Sequence, residues 1–163
     1  MQKGFASLEV ILAALIISLL ATVAVPQAVR LVDKFALDYE YKRLYSELQF
    51  VRTLNRAATV SPEGMSMTDF LSSKGITVAK RVELKLESGA NSYQILRDDK
   101  PIRETHYLSY GVTFSNETDV PKKIWFNTAG YSDIKNRTIV LKSRFGSKTK
   151  IIFDGVGRIR GDK

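Results

Sequence analysis

Cysteine is absent from this 163-residue chain. That excludes both a disulfide framework and a thiolate metal site. Histidine occurs once, as His106, so no histidine cluster can hold a catalytic metal. A Gly-rich phosphate loop is also missing. Gly155 and Gly157 lack the rest of a dinucleotide fingerprint and follow the last strand of an all-β stretch. No serine stands in a recognisable nucleophile motif. The two sequons, Asn116-Glu117-Thr118 and Asn136-Arg137-Thr138, are read as chance. These absences point away from an enzyme and from any bound metal or cofactor. What remains is a binding or structural protein, with enough apolar and aromatic residues for one modest core.

Charge is missing from one long stretch. From Val10 to Val25 only Ser18 and Thr22 are polar. Phe5 to Val25 as a helix would be about 31 Å long, close to the hydrocarbon thickness of a bilayer. Lys3 on the near side favours a cytoplasmic N-terminus, with the rest of the chain beyond the membrane. At the edge of this run sits one carboxylate, Glu9. An acid costs about 2.5–3.5 kcal/mol at the centre of a spanning helix, so such residues usually mark function. A cleaved secretory signal ending at Thr22-Val23-Ala24 does not suit a carboxylate in its apolar region. A plain membrane anchor leaves Glu9 equally unexplained.

Pro26 removes one helical hydrogen bond and is expected to kink the stem. Beyond it, Tyr41, Leu44, Leu48, Val51, Leu54 and Ala58 follow 3/4 spacing, the apolar stripe of an amphipathic helix. Arg30, Asp33, Lys34, Asp38, Glu40 and Lys42 fall on other faces. The helix should run to about Thr59, with Ser61-Pro62-Glu63-Gly64 as its stop. Ser66-Met67-Thr68-Asp69 reads as a capping box for a short helix ending before Gly75. The period then changes to two. Val82, Leu84 and Leu86 alternate with charged residues, Ser88 to Asn91 turns, and Tyr93 and Ile95 continue on a second strand. Asp98 to Pro101 turns again. Ile102 to Leu108 and Val112 to Phe114 read as two more strands, separated by Ser109-Tyr110-Gly111. His106 is expected on a strand as a half-exposed pairing residue.

The last quarter carries the charge. Residues 122–163 hold eleven Lys/Arg against Asp133, Asp154 and Asp162, which is the whole net charge of +8. Lys123 to Phe126 reads as a strand, turned by Asn127 to Gly130. Ile139 and Leu141 face one way on the next strand, Phe145-Gly146-Ser147 turns, and Lys148 to Phe153 returns. With Ile151 and Phe153 inward, Lys148, Lys150 and Ile152 point out. Arg158 and Arg160 are two apart, so in an extended tail they share one face opposite Ile159. Such asymmetry suits an anionic partner: nucleic acid, phospholipid headgroups or an acidic protein face. It suits a solubilising face as well.

Taken together, Gly4, Phe5, Glu9 and the apolar run to Val25 resemble the signature of the type IV pilin-like family, the pilins and pseudopilins. The resemblance implies cleavage after Gly4 by a prepilin peptidase and N-methylation of Phe5. The new ammonium is best paired in a low-dielectric bundle by a carboxylate on a neighbouring subunit, so Glu9 would set the register of filament assembly. Ala6 and Ser7 depart from the commoner residues after the Phe. Ile124, Phe126 and Gly130, with the closing Gly157-Arg158-Ile159-Arg160, narrow the resemblance to the H-type minor pseudopilins and FimT-like minor pilins. The implied architecture is α+β: leader 1–4, transmembrane and polymerisation helix 5–25, amphipathic half 26–60, and an antiparallel β domain 61–163 with a basic tail. The implied place is the cytoplasmic (inner) membrane before assembly, with the β domain periplasmic or extracellular, among other pilin or pseudopilin subunits. In FimT-like relatives the Gly-Arg-x-Arg tail is associated with DNA binding in natural transformation, and the same letters occur in type II secretion pseudopilins. For DNA, Arg158 and Arg160 would each grip a phosphate, and Lys142, Arg144, Lys148 and Lys150 would widen the patch. Engaging about 4–6 phosphates gives salt-dependent binding without base readout. Trp125 and Tyr131 could stack on bases, though Trp125 on its strand is better read as a packing residue.

Overall fold

The structure is a computed structural model. It describes residues 3–57, 82–97, 99–127, 130–132, 134, 136–154 and 157–162, with the backbone alone at 3–7 and 57. One helix, α1 (Lys3–Ala57), takes 55 residues without a break, about 82 Å at 1.5 Å per residue. Pro26 lies inside it, where it removes one backbone donor without ending the helix. The short helix expected near Ser66 lies outside the described residues.

The helix has two unlike halves. Every residue from Leu8 to Val32 is exposed, including Leu8, Ile11, Leu15, Ile17, Leu19 and Leu20. Burial starts at Asp33 and then recurs at helical spacing through Ala36, Leu37, Glu40, Tyr41, Leu44, Leu48, Val51 and Asn55. The expected apolar stripe is therefore the buried face, with Leu54 half-buried at its edge. Removing Leu44, Leu48 and Val51 from water contributes roughly 5–9 kcal/mol as an upper estimate. Two residues break the pattern. Asp33 and Glu40, expected on polar faces, are 6% and 0% exposed.

The β region forms two antiparallel sheets rather than one. The first contains β1 (Val82–Glu87), β2 (Ser92–Arg97), β3 (Lys100–Pro101), β4 (His106–Tyr107) and β6 (Lys123–Trp125). Its order is β3-β2-β1-β6, with β4 also on β2. The second runs β5-β7-β8-β9, from Thr113–Phe114, Arg137–Lys142, Lys148–Phe153 and Ile159–Asp162. The strand expected from Ile102 to Leu108 is reduced to β4. The arginine segment expected as a tail is the edge strand β9, paired with β8 through Ile152↔Arg160 and Lys150↔Asp162.

Helix α1 packs on β1 of the first sheet and on β7, β8 and β9 of the second. Leu84, Ile124, Phe126, Ile139, Leu141, Ile151 and Phe153 close over Leu44, Leu48 and Val51. Backbone details fit this seat. A Cβ at Gly161 would lie 1.5 Å from the Tyr41 hydroxyl oxygen, so only glycine lets β9 reach the helix. The buried Asn55 side chain pairs with the first residue of β1 like another strand. Its Nδ2 donates to the Val82 carbonyl at 2.7 Å, and its Oδ1 accepts from the Val82 N–H at 2.9 Å.

Candidate nucleic-acid interface

The alternation of β8 decides which cations share a surface. Thr149, Ile151 and Phe153 are buried, while Lys148 and Lys150 are exposed. Register then extends that outward face over its neighbours. Lys142 is directly across from Lys148, Lys150 is across from Asp162, and Ile152 is across from Arg160. Directly opposed residues point to the same side of a sheet and diagonal ones lie about 7–8 Å apart. Lys142, Lys148, Lys150 and Arg160 therefore form one continuous band. Arg158 precedes β9 on the same side, and Ile159 between the arginines is buried, as expected.

Three carboxylates are interleaved with these cations. Asp154 closes the β8–β9 turn. Its Oδ1 accepts from the Arg158 N–H at 2.8 Å, and its Oδ2 takes Arg158 Nε at 2.9 Å and a guanidinium nitrogen of Arg160 at 3.4 Å. The two arginines are thus held side by side by one acid. The turn needs Gly157, which has φ +72, and a Cβ there would lie 2.4 Å from the Ser132 backbone nitrogen. Glu117 bonds the Lys148 ammonium. Lys148, by hydrogen bond and then by charge, holds the Glu117 carboxyl below the ordinary glutamate range; burial opposes this, and Lys150 and Lys142 add to it. Asp162 faces Lys150 across the strands. Five cations against three acids leave the face positive, though less so than the letters suggested.

Arg144 does not belong to this band. It sits in the β7–β8 turn, where its N–H donates to Asp33 of α1 at 3.2 Å and its guanidinium lies 5.9 Å from the Phe145 ring centre. Arg158 and Arg160 flank Ile159, whose carbonyl accepts from Tyr45. Tyr45 is twelve residues past Asp33, about 18 Å further along the helix. Lys142 and Lys148 flank the same turn as Arg144, but its side chain lies against Gly111 and the helix groove rather than on their outward face, so the six cations singled out by sequence are five plus one. Trp125 is half-buried on β6 and Tyr131 is exposed. At the other end of the chain, Gly4 and Phe5 lie within the helix, and Glu9 is exposed on its apolar half.

Sequence reasoning missed a buried polar cluster. Glu40 accepts from His106 Nε2 at 2.7 Å, from the Ser109 N–H at 3.1 Å and from the Ser109 hydroxyl. A Ser–His–acid relay places the imidazole between serine and acid. Here the acid lies between, so the cluster ties His106 of β4 and the turn residue Ser109 to the helix. The one available signal was a glutamate one residue ahead of the apolar stripe at Tyr41. Among the described residues no group of His, Asp and Glu could hold a metal ion. Comparison with protein-family models, with curated proteins and with solved structures gave no match.

Proposed function

We propose that this chain is a minor subunit of a type IV pilin-like filament that binds DNA without sequence preference during uptake. The leader would be cut after Gly4, α1 would anchor the chain in the cytoplasmic membrane and then in the filament, and the β domain would lie outside. One observation carries the anchoring half. A single helix seals its second half into a core while leaving residues 8–32 exposed, with Glu9 and Arg30 the charged residues among them and no charge from Val10 to Val25. It is long and apolar enough to cross a membrane. Water is a poor solvent for that surface, and hydrocarbon or the like helices of neighbouring subunits would cover it.

The DNA half is supported by the band of Lys142, Lys148, Lys150, Arg158 and Arg160, which is exposed along one face of β7, β8 and β9. A mobility shift of duplex DNA by the full chain in detergent tests it. Contact with about four phosphates gives a slope of log K against log[salt] near −3.6. Arg158→Ala/Arg160→Ala weakens binding, and Asp154→Asn strengthens it by removing the acid that competes with phosphate. Absent or salt-insensitive binding would sink the DNA reading. The interleaved Glu117, Asp154 and Asp162 favour a second reading, a type II secretion pseudopilin whose mixed-charge face docks a protein. That reading expects no DNA shift in any of these variants.

A further inference from the structure

Two turns of the β domain descend beside the exit of the apolar helix, and their tips are aromatic. The first is Ser109-Tyr110-Gly111, with Tyr110 at φ 55 and Gly111 at φ 75. The second is Ser143 to Ser147, closed by the Ser143 N–H to the Ser147 carbonyl at 2.8 Å. Each is fastened to α1 by one of the buried acids, the first through Glu40 to Ser109 and the second through Asp33 to the Arg144 N–H. The tips themselves stay outside the core: Tyr110 is 72% and Phe145 54% exposed. Between them and Val29 and Val32 of the helix lies an apolar groove of about 480 Å³. Two well-tethered loops thus hold aromatic rings at a place where the domain's own packing does not use them.

We propose that, before assembly, the β domain sits on the surface of the bilayer that holds α1, with Tyr110, Phe145 and Arg144 in the headgroup layer. This rests on the membrane-spanning reading of α1. Val29 and Asp33 lie about 6 and 12 Å beyond Val25 along the helix, and each headgroup layer is about 5–8 Å thick. Rings in the groove beside Val29 therefore reach that layer, where tyrosine and other amphipathic rings concentrate. The charge agrees. Arg30 and Lys34 are exposed on the same stretch of helix, Arg144 is exposed in the turn bound to Asp33, and Asp33 is buried and occupied. Anionic headgroups would complete these cations. The seat fixes the domain's tilt and keeps Arg158 and Arg160, at the other end of the second sheet, away from the lipid, while Lys142 and Lys148 flank the seated turn.

The absence of cysteine makes the test clean, because one introduced thiol can be labelled alone. The full chain carrying Phe145→Cys, Tyr131→Cys or Leu15→Cys is labelled with an environment-sensitive fluorophore and placed in nanodiscs of phosphatidylcholine and phosphatidylglycerol. The label at Phe145 should shift to the blue and lose most of its emission to headgroup-level nitroxide lipids, and Tyr110→Cys should do the same. The Tyr131 label should keep its aqueous spectrum and its emission. A Phe145 label indistinguishable from the Tyr131 label overturns the seat. If the Leu15 label responds to acyl-chain nitroxides while the Phe145 label does not, the seat alone is wrong; if neither responds, the spanning reading falls with it.

Discussion

Replacing Glu40 tests whether the β domain is fastened to its stem by a buried carboxylate. Glu40 is fully buried on α1 and serves three donors: His106 Nε2, the Ser109 N–H and the Ser109 hydroxyl. Glu40→Leu keeps the helix propensity and most of the volume but orphans all three. An unmet buried donor costs about 1–3 kcal/mol. Ser109 and His106 are half-buried, so water recovers part of this, and the low end applies. The expected loss is about 3 kcal/mol, or roughly 10 °C in Tm for a domain of this size. Thermal melts by near-ultraviolet circular dichroism in detergent measure it, and hydrogen exchange adds a local readout, because the Ser109 amide should lose its protection. A double-mutant cycle with His106→Phe should show strong coupling. A Tm drop below about 3 °C, with Ser109 still protected, would refute the tether.

Four further outcomes follow from particular positions. Asn55→Ala strips both backbone partners from Val82 in a buried site and should cost about 2–4 kcal/mol, read as a shift in the denaturant midpoint. Gly157→Ala forces a Cβ against the Ser132 backbone at positive φ, and should destabilise by about 3 kcal/mol or more. Gly146→Ala, with φ +88 and open space, should cost only about 1–2 kcal/mol in the same melts. Glu117 should titrate below the ordinary glutamate range by NMR, and Lys148→Ala should move it back up. Because its folded value is depressed, its stabilising contribution is present above the unfolded value. That contribution is lost as pH falls through the folded value.

The α+β architecture was legible where periodicity is strong. The 3/4 spacing from Tyr41 to Val51 gave the buried helix face, and strict alternation gave β1, β2 and the outward Lys148 and Lys150. The division into two sheets was not legible, since it depends on β1 pairing with β6 through Leu84↔Ile124, forty residues apart. Asp33 and Glu40 read as solvent-facing because their residue types favour water. Their partners, Arg144, Ser109 and His106, lie far away in sequence, and only tertiary packing reveals them. Strand β9 was read as a tail because Gly161-Asp162 is poor strand material. That glycine is there for the close approach of Tyr41. The basic patch was partly legible: nearness in sequence suggested that Arg144 joined the other five, but the β7–β8 turn lays its side chain against Gly111 and the helix groove, while Lys142 and Lys148 beside it face outward.

The most direct test of the central proposal is the N-terminus of the mature chain, taken from membranes of cells that make it. On that proposal Glu9 would pair with an ammonium that exists only after cleavage, and the exposed helix from residue 8 onward would enter the filament. Peptide mass spectrometry should find the chain beginning at Phe5, with that amine methylated. A chain that retains Met1 to Gly4, or one cut after Ala24, would contradict the account.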